Sequence, residues 1–459
     1  MDNSAIDESR NTFRAAVRRA QAGLETLADD APAPVTNVQP VGPEWPTLDD
    51  AALYGLPGDA VRLIEPHTEA DPVSLLVSFL SECGAMLNRA PHLNLDGSYH
   101  PLLFWPVLVG QSSKSRKGTA GRRIETLLSL ADECWTRGVC KGTLSSGEGL
   151  AFAVRDPQYK EEPLKERGRP TGETVTICVD LGVEDKRIFL VQAEFGSVLR
   201  IMGREGNSLS GVLRDAWDGL TLAPMTKTNH VKATYPHIGI VGHVTKDELL
   251  RNLTDTETVN GFGNRFCWFA VRRSKELPFP SAPLDTDLST LAAKLRSALG
   301  LARGFGALSL TGATREAWQD IYHDLSADRP GMAGALLGRA EAHVMRLSAL
   351  YACLDGQATI DLVHLKAALA VWQHAEASTK MIFGDSLGDP VADIMLKGIR
   401  AKNELTDSQL SDLFGRHMPA AKLDRAKSVI LTAGLAHCAT VDSGGRPRIV
   451  WRAGAKKEN

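Results

Sequence analysis

Cysteine is sparse in this chain. Seven cysteines among 459 residues (Cys83, Cys134, Cys140, Cys178, Cys267, Cys353, Cys438) are odd in number and never spaced as CxxC. That spacing excludes a disulfide scaffold, argues against a structural zinc site, and fits a reducing compartment. Long apolar runs are missing as well. The most apolar stretch, Leu102 to Gly110, is nine residues with a proline inside it, whereas a membrane helix needs about 20. There is no surplus of positive charge: 52 Lys and Arg against 55 Asp and Glu leave a net of −3. Nucleic-acid binding would therefore need a local patch. The acidic start, Met1 to Glu8, has no apolar segment of the signal-peptide kind. What is present is ordinary for a globular protein, with 43% hydrophobic and 23% charged residues. We expect a cytoplasmic protein, free of membrane, with roughly two to four domains.

Residues 10–27 carry Phe13, Val17, Ala20 and Leu24 at helical spacing, and five prolines follow between Asp29 and Pro46. This reads as a helix and linker, 1–45. Asp71-Pro72 predicts the start of a strong helix, within a helical segment 46–100. Strands then alternate with helices over 101–280. Strands are expected at Leu102–Val109, Ile188–Val191, His237–Val244 and Arg265–Val271, with helices over 120–137 and Ser208–Trp217. A charged loop is expected over 154–174. The pattern predicts an α/β layer with a largely parallel sheet. Residues 281–384 read as helical, with long helices over Arg339–Leu354 and Leu362–Phe383. Residues 388–459 read helix, helix, helix, hairpin. Thr406-x-x-Gln409 is a capping box in that stretch, Pro419 starts the third helix and Gly434 ends it.

The expected strand ending at Val109 runs into Gly110-Gln-Ser-Ser-Lys-Ser115-Arg116-Lys117-Gly118-Thr119 and then a helix. Phosphates are held at such turns by backbone N–H groups and a lysine, with a hydroxyl for magnesium. Gly110, Ser115, Arg116, Lys117, Gly118 and Thr119 are the candidate nucleotide ligands. The spelling departs from the usual loop. Lys117 is seven residues after Gly110 instead of six, and Arg116 stands where a glycine is usual. A basic, Ser-rich surface turn is the alternative.

A second strand, Arg187 to Gln192, ends in Ala193-Glu194. Glu194 is the candidate base that orients an attacking water, or it caps a solvated strand end. Ala193 takes the place of an acid, so magnesium would rest on Thr119 or Gln192. The third strand ends in His243 and Thr245, eligible to read a terminal phosphate. Arg265 follows a Gly-containing loop. It is a candidate arginine finger acting in a neighbouring subunit, or it pairs with a nearby carboxylate. Arg339, His343 and Arg346 share one helical face, with Arg346 the candidate lid arginine.

This succession resembles that of AAA+ ATPases: phosphate loop, carboxylate strand, sensor strand, finger, lid, winged helix. Trp45 to about Phe383 also resembles a family of uncharacterised P-loop proteins of phages, plasmids and actinobacterial mobile elements. The likeness lies in Tyr54-Gly-Leu-Pro-Gly-Asp, Arg116-Lys-Gly-Thr, Ser146-Gly-Glu-Gly-Leu, Asp185-Lys-Arg, Glu194-Phe, Arg214-Asp-Ala-Trp-Asp-Gly, His237-Ile-Gly-Ile-Val-Gly-His-Val-Thr and Gly263-Asn-Arg-Phe. The resemblance implies a RecA/AAA+-like P-loop core with a parallel sheet, an α-helical lid and a C-terminal winged-helix domain. It implies ATP and Mg2+ as cofactors, a homo-oligomeric ring, and a helicase-like motor replicating a mobile genetic element beside a primase. The alternatives are a nucleotide-binding, catalytically weak DNA adaptor or phage-defence regulator, and a DNA-binding scaffold without nucleotide. From residue 388 on, 12 Lys and Arg face 8 Asp and Glu, a net of +4. Lys422, Arg425 and Lys427 on the third helix, with Arg446 and Arg448 on the hairpin, are the candidate DNA contacts. Protein contact is the alternative use of that module.

Overall fold

The computed structural model describes residues 45–138, 143–166, 169–224, 231–329, 331–384, 387, 389–441 and 448–454. The helix expected over 10–27, nearly all of the linker, and Arg446 lie outside the described residues. The chain divides into two compact units. The larger comprises Trp45–Asp328 and Ala335–Ile382, and the smaller includes Phe383 to the C-terminus. Among the described residues, no helix is long and apolar enough to cross a membrane.

The larger unit is built on a four-stranded sheet. In chain order its strands are β1 (Pro106–Gly110), β2 (Arg187–Gln192), β3 (His237–Thr245) and β4 (Cys267–Ala270). Their order across the sheet is β2-β3-β1-β4 and every pairing is parallel. The strands are apolar and buried almost throughout, as a parallel sheet covered on both faces requires. Two glycines of β3 show the two covers. A Cβ on Gly239 would come within 2.6 Å of Ala85, and one on Gly242 within 2.8 Å of Phe195. Alternation along a strand sends these positions to opposite faces.

Ala85 belongs to α1 (Pro72–Met86), capped by Asp71, whose carboxylate accepts from Val73 N at 3.0 Å. Every residue of α1 after Pro72 is buried. A helix hydrophobic all round belongs in a core, and its serine Ser81 donates to Phe104 O at 2.7 Å. Helix α2 (Lys117–Ala131) follows the loop after β1, burying Ala120, Ile124, Leu127 and Leu128. On the other face, Phe195, Phe262, Phe266 and Trp268 form an aromatic cluster. The helices α3 (Ala340–Leu354) and α4 (Leu362–Phe383) complete the same unit.

Two expectations change. The strand expected from Leu102 begins only at Pro106. Leu102 to Trp105 are buried without ladder pairing, and the Trp105 indole donates to Ile238 O at 2.8 Å. The charged loop expected over 154–174 is instead part of a two-stranded antiparallel ribbon, Gln158–Glu166 with Arg169–Asp180. The alternation Val175, Ile177, Val179 carries the strand period there, and charge density hid it.

The smaller unit runs helix (Pro390–Lys402), strand (Glu404–Thr406), helix (Asp407–Asp412), helix (Ala420–Thr432), strand (Ala436–Val441), strand (Arg448–Ala453). The last strand lies centrally in a three-stranded antiparallel sheet. It has its own core, including Met395, Ile399, Leu405, Leu410, Ala426, Ile430 and Trp451. The Thr406 capping box forms, and Gly434 takes φ +66° at the end of the third helix.

Candidate functional site

Parallel pairing fixes which strand ends meet. Gly110 lies opposite Thr245, and Gln192 opposite Gly242. The Gly110–Thr119 loop, Glu194, His243 and Thr245 are therefore gathered at the carboxyl edge of the sheet, where open α/β sheets bind ligands. The polar end of β3 stands between the loop and the carboxylate.

The loop curls over its first glycine. A Cβ on Gly110 would lie 2.3 Å from Ser115 Oγ and 2.8 Å from Lys117 Nζ, so only glycine fits beneath them. Lys117 Nζ donates to Ser112 O at 3.2 Å, and Ser115 N to the same carbonyl at 3.2 Å. Burial pushes the Lys117 ammonium below its ordinary range, and the Glu248 carboxylate opposes that shift. Thr119, half-buried, lies in the first turn of α2. Gly118 has open space at its Cβ position. The Arg116 side chain turns to Glu69 at 2.7 Å.

Glu194 is exposed, with its Oε2 accepting from Ser197 Oγ at 3.3 Å. His243 is buried, and burial, with the Lys117 charge adding, pushes its pKa down to about 4. It is a neutral imidazole at pH 7, with Nε2 lacking any hydrogen-bond partner. His243, Ala193, Gly118 and Gly121 border a cavity of about 410 Å³.

Several side chains stand elsewhere than the sequence reading put them. Gln192 is buried and its Oε1 accepts from Leu144 N at 3.1 Å, so it is tied to backbone instead of turned to a metal. Thr245 Oγ1 accepts from Glu248 N at 3.3 Å, capping the helix Lys246–Asn252. Arg265 precedes β4, and Cys267 pairs with Pro106 at the opposite edge of the sheet from Gly110. Four strand steps separate those edges, about 13 Å. Arg265 is also buried, with Nη2 on Asp218 at 2.6 Å. It does not project from a mobile loop toward a neighbour. Arg346 is 2% exposed, its guanidinium 3.5 Å from the Trp217 ring centroid and its Nη1 donating to Trp217 O at 3.0 Å. Asp218, Trp217 and three arginines (Arg265, Arg339, Arg346) thus form one structural cluster. Arg265→Ala is expected to cost about 2 kcal/mol, discounted from the buried-pair range because Asp218 is partly exposed. The melting temperature should fall about 5 °C with nucleotide affinity unchanged. A drop in affinity at constant stability would return Arg265 to the site.

In the smaller unit, Lys427 Nζ pairs with Asp407 at 2.8 Å and its side chain is 16% exposed, so it braces the fold instead of meeting phosphate. Arg425 is exposed, 3.6 Å from Asp389. Lys422 and Arg448 are exposed.

Two carboxylates escaped the sequence reading. Glu248 packs against Gly196, whose Cβ would fall 2.3 Å from its carboxyl carbon. The Thr245-x-x-Glu248 capping spacing was the available signal. Glu69 had none, since its partners Arg116 and Arg273 are 47 and 204 residues away.

Among the described residues, no group of three or more His, Cys, Asp or Glu is arranged to hold a metal. The donor set still fits magnesium, which keeps several waters and binds through phosphate oxygens with few protein ligands. Thr119, in the first turn of α2, is a candidate protein oxygen for that. Over Gly110 lie Ser115 Oγ and Lys117 Nζ, a hydroxyl and an ammonium of the kind that can donate to a phosphate. No protein-family model matches this chain, and no curated protein matches it.

Proposed function

We propose that the chain binds Mg-ATP at Gly110–Thr119 and hydrolyses it to drive helicase-like work on DNA during replication of a mobile element. The observation that carries this reading is the carboxyl edge of the parallel sheet. There a lysine-bearing strand-to-helix loop, an exposed carboxylate and a neutral buried histidine come together. The order β2-β3-β1, with a polar-ended strand between loop and carboxylate, supports a RecA/AAA+-like core. The helix, strand, helix, helix, hairpin order of the smaller unit supports a winged helix.

Lys117 would neutralise the transferred phosphate charge, and the N–H groups of α2's first turn would orient its oxygens. Glu194, reaching into solvent, would take the proton of an attacking water. His243, neutral, would hydrogen-bond without adding charge. Bound magnesium would supply charge neutralisation on the phosphate oxygens, with Thr119 as its protein ligand. A calorimetric titration with Mg-ATP, followed by phosphate release with and without forked DNA, tests the reading. Binding with DNA-stimulated turnover is the expected result, and absence of binding overturns it.

A second reading, a nucleotide-binding DNA adaptor with weak catalysis, is favoured by Ala193 beside Glu194 and by the burial of Arg265. Binding without turnover would select it. A ring and a primase partner rest on resemblance alone. Sedimentation with ATP and DNA tests the ring.

The DNA contacts proposed are Lys422, Arg425 and Arg448. In the full chain, Arg448→Glu is expected to weaken DNA binding several-fold and to lower the slope of log K against log salt by about 1. Lys427→Ala should lower stability instead. Unchanged affinity in Arg448→Glu would move the interface elsewhere.

A further inference from the structure

Arg116 is one of five non-glycine residues among those described with a positive φ, at +56°. It stands where the phosphate loop meets α2 and has left-handed backbone, the region where a Cβ is disfavoured and glycine is at ease. Its guanidinium Nε donates to Glu69 Oε2 at 2.7 Å. Glu69 is 8% exposed. Its other oxygen accepts from Arg273 and from Leu277 N. The Leu277 N–H, then Arg273, and then Arg116 hold its carboxyl down to about 2. It is an anion at any working pH. The carboxylate is anchored on two sides by segments flanking the sheet, and it grips the one loop residue whose backbone is unfavourable.

We propose that Glu69 is a positioning residue of the phosphate loop: through Arg116 it holds the loop in the left-handed turn that a glycine would adopt unaided. This rests on the reading of Gly110–Thr119 as a phosphate site and explains its departure from the usual spelling. The conformational cost of arginine at φ +56° is offset by its tether. The same turn could be kept with neither cost nor tether by glycine.

Three variants separate the terms. Arg116→Met keeps the backbone cost, loses the tether, and leaves Glu69 on Arg273 and Leu277. Its Mg-ATP affinity should fall about tenfold. Arg116→Gly should stay within about threefold of wild type. Glu69→Gln should behave like Arg116→Met, and adding Arg116→Gly to it should restore affinity. The rescue is the readout that a merely stabilising Glu69 would not give. If Arg116→Met binds like wild type, or if Arg116→Gly fails to rescue Glu69→Gln, the proposal is overturned. Should Glu69→Gln not fold, the comparison of Arg116→Met with Arg116→Gly decides. If the wild type binds no ATP, the nucleotide reading fails. The tether is then judged by amide exchange over 112–118, faster in Arg116→Met and not in Arg116→Gly. Equal exchange in those two proteins would sink it.

Discussion

Lys117→Ala should lower Mg-ATP affinity by about 100-fold or more while leaving the melting temperature within a few degrees. The ammonium lies over Gly110, half-buried, and donates a hydrogen bond to Ser112 O. A unit charge near a phosphate oxygen at about 4 Å is worth roughly 4 kcal/mol near a protein surface. Partial hydration reduces that, which brings the loss to about two decades. Glu194→Gln should act differently. The carboxylate is exposed, and Ser197 Oγ donates to it at 3.3 Å, so folding and nucleotide affinity should survive the change. Turnover should fall 100-fold or more, as loss of a positioned base costs. Calorimetry and phosphate release on the two variants give the pattern: binding lost in the first, chemistry lost in the second. Full turnover in Glu194→Gln would show that another group orients the water, and Glu248, which packs against Gly196 and whose charge acts on Lys117, is a candidate carboxylate.

The strands and helices that could be read in the sequence are those whose period is unbroken. β3 is nine residues with eight buried, and α1 announces itself by Asp71-Pro72. The polar strand ends were legible because apolar runs stop abruptly at Glu194 and Thr245. The ribbon over 158–180 was not, since Lys160, Glu161 and Glu162 mask an alternation whose large side chains remain exposed, Tyr159 and Val179 among them. Sequence shows that Arg265 and Arg346 are cationic, yet not which carboxylate or indole they meet. Asp218 is 47 residues from Arg265, and Trp217 is 129 from Arg346. Such pairings are made by the order of strands in the sheet, which local spacing does not encode. Glu69 is the extreme case. A carboxylate outside every motif pairs with Arg116, and its significance depends on a dihedral angle that an arginine would not be expected to adopt.

Acid should unfold the larger unit well above the pH at which its carboxylates protonate. Its buried histidines include His237, His243, His343 and His374. Burial pushes His237, His243 and His374 down to about 4 and His343 to about 3. The hydrogen bonds explain why charge is resisted. His237 Nε2 and His343 Nε2 each meet a backbone carbonyl at 2.9 Å, Gly84 O and Asn264 O. Their Nδ1 atoms have no partner. A second proton on either ring would create a buried N–H with nothing to accept it. His343 also stacks on Trp372 and His374 on Phe269. Between about pH 4 and the ordinary histidine value of 6.5, the unfolded chain binds more protons than the fold, so stability rises with pH there. The contribution is complete above 6.5 and is lost as pH falls toward the folded values. At pH 5 each of these histidines forfeits about 2 kcal/mol, and the four together about 8 kcal/mol. That is comparable with the whole stability of a typical domain. The melting temperature should therefore drop steeply from pH 7 to pH 5, with about three protons taken up on unfolding. His343→Gln, which can still donate to Asn264 O, should flatten the dependence by about a quarter. A melting temperature constant over that range would mean that the fold accepts these protons. The neutral imidazole assigned to His243 at the nucleotide edge would then have to be given up along with the acid transition.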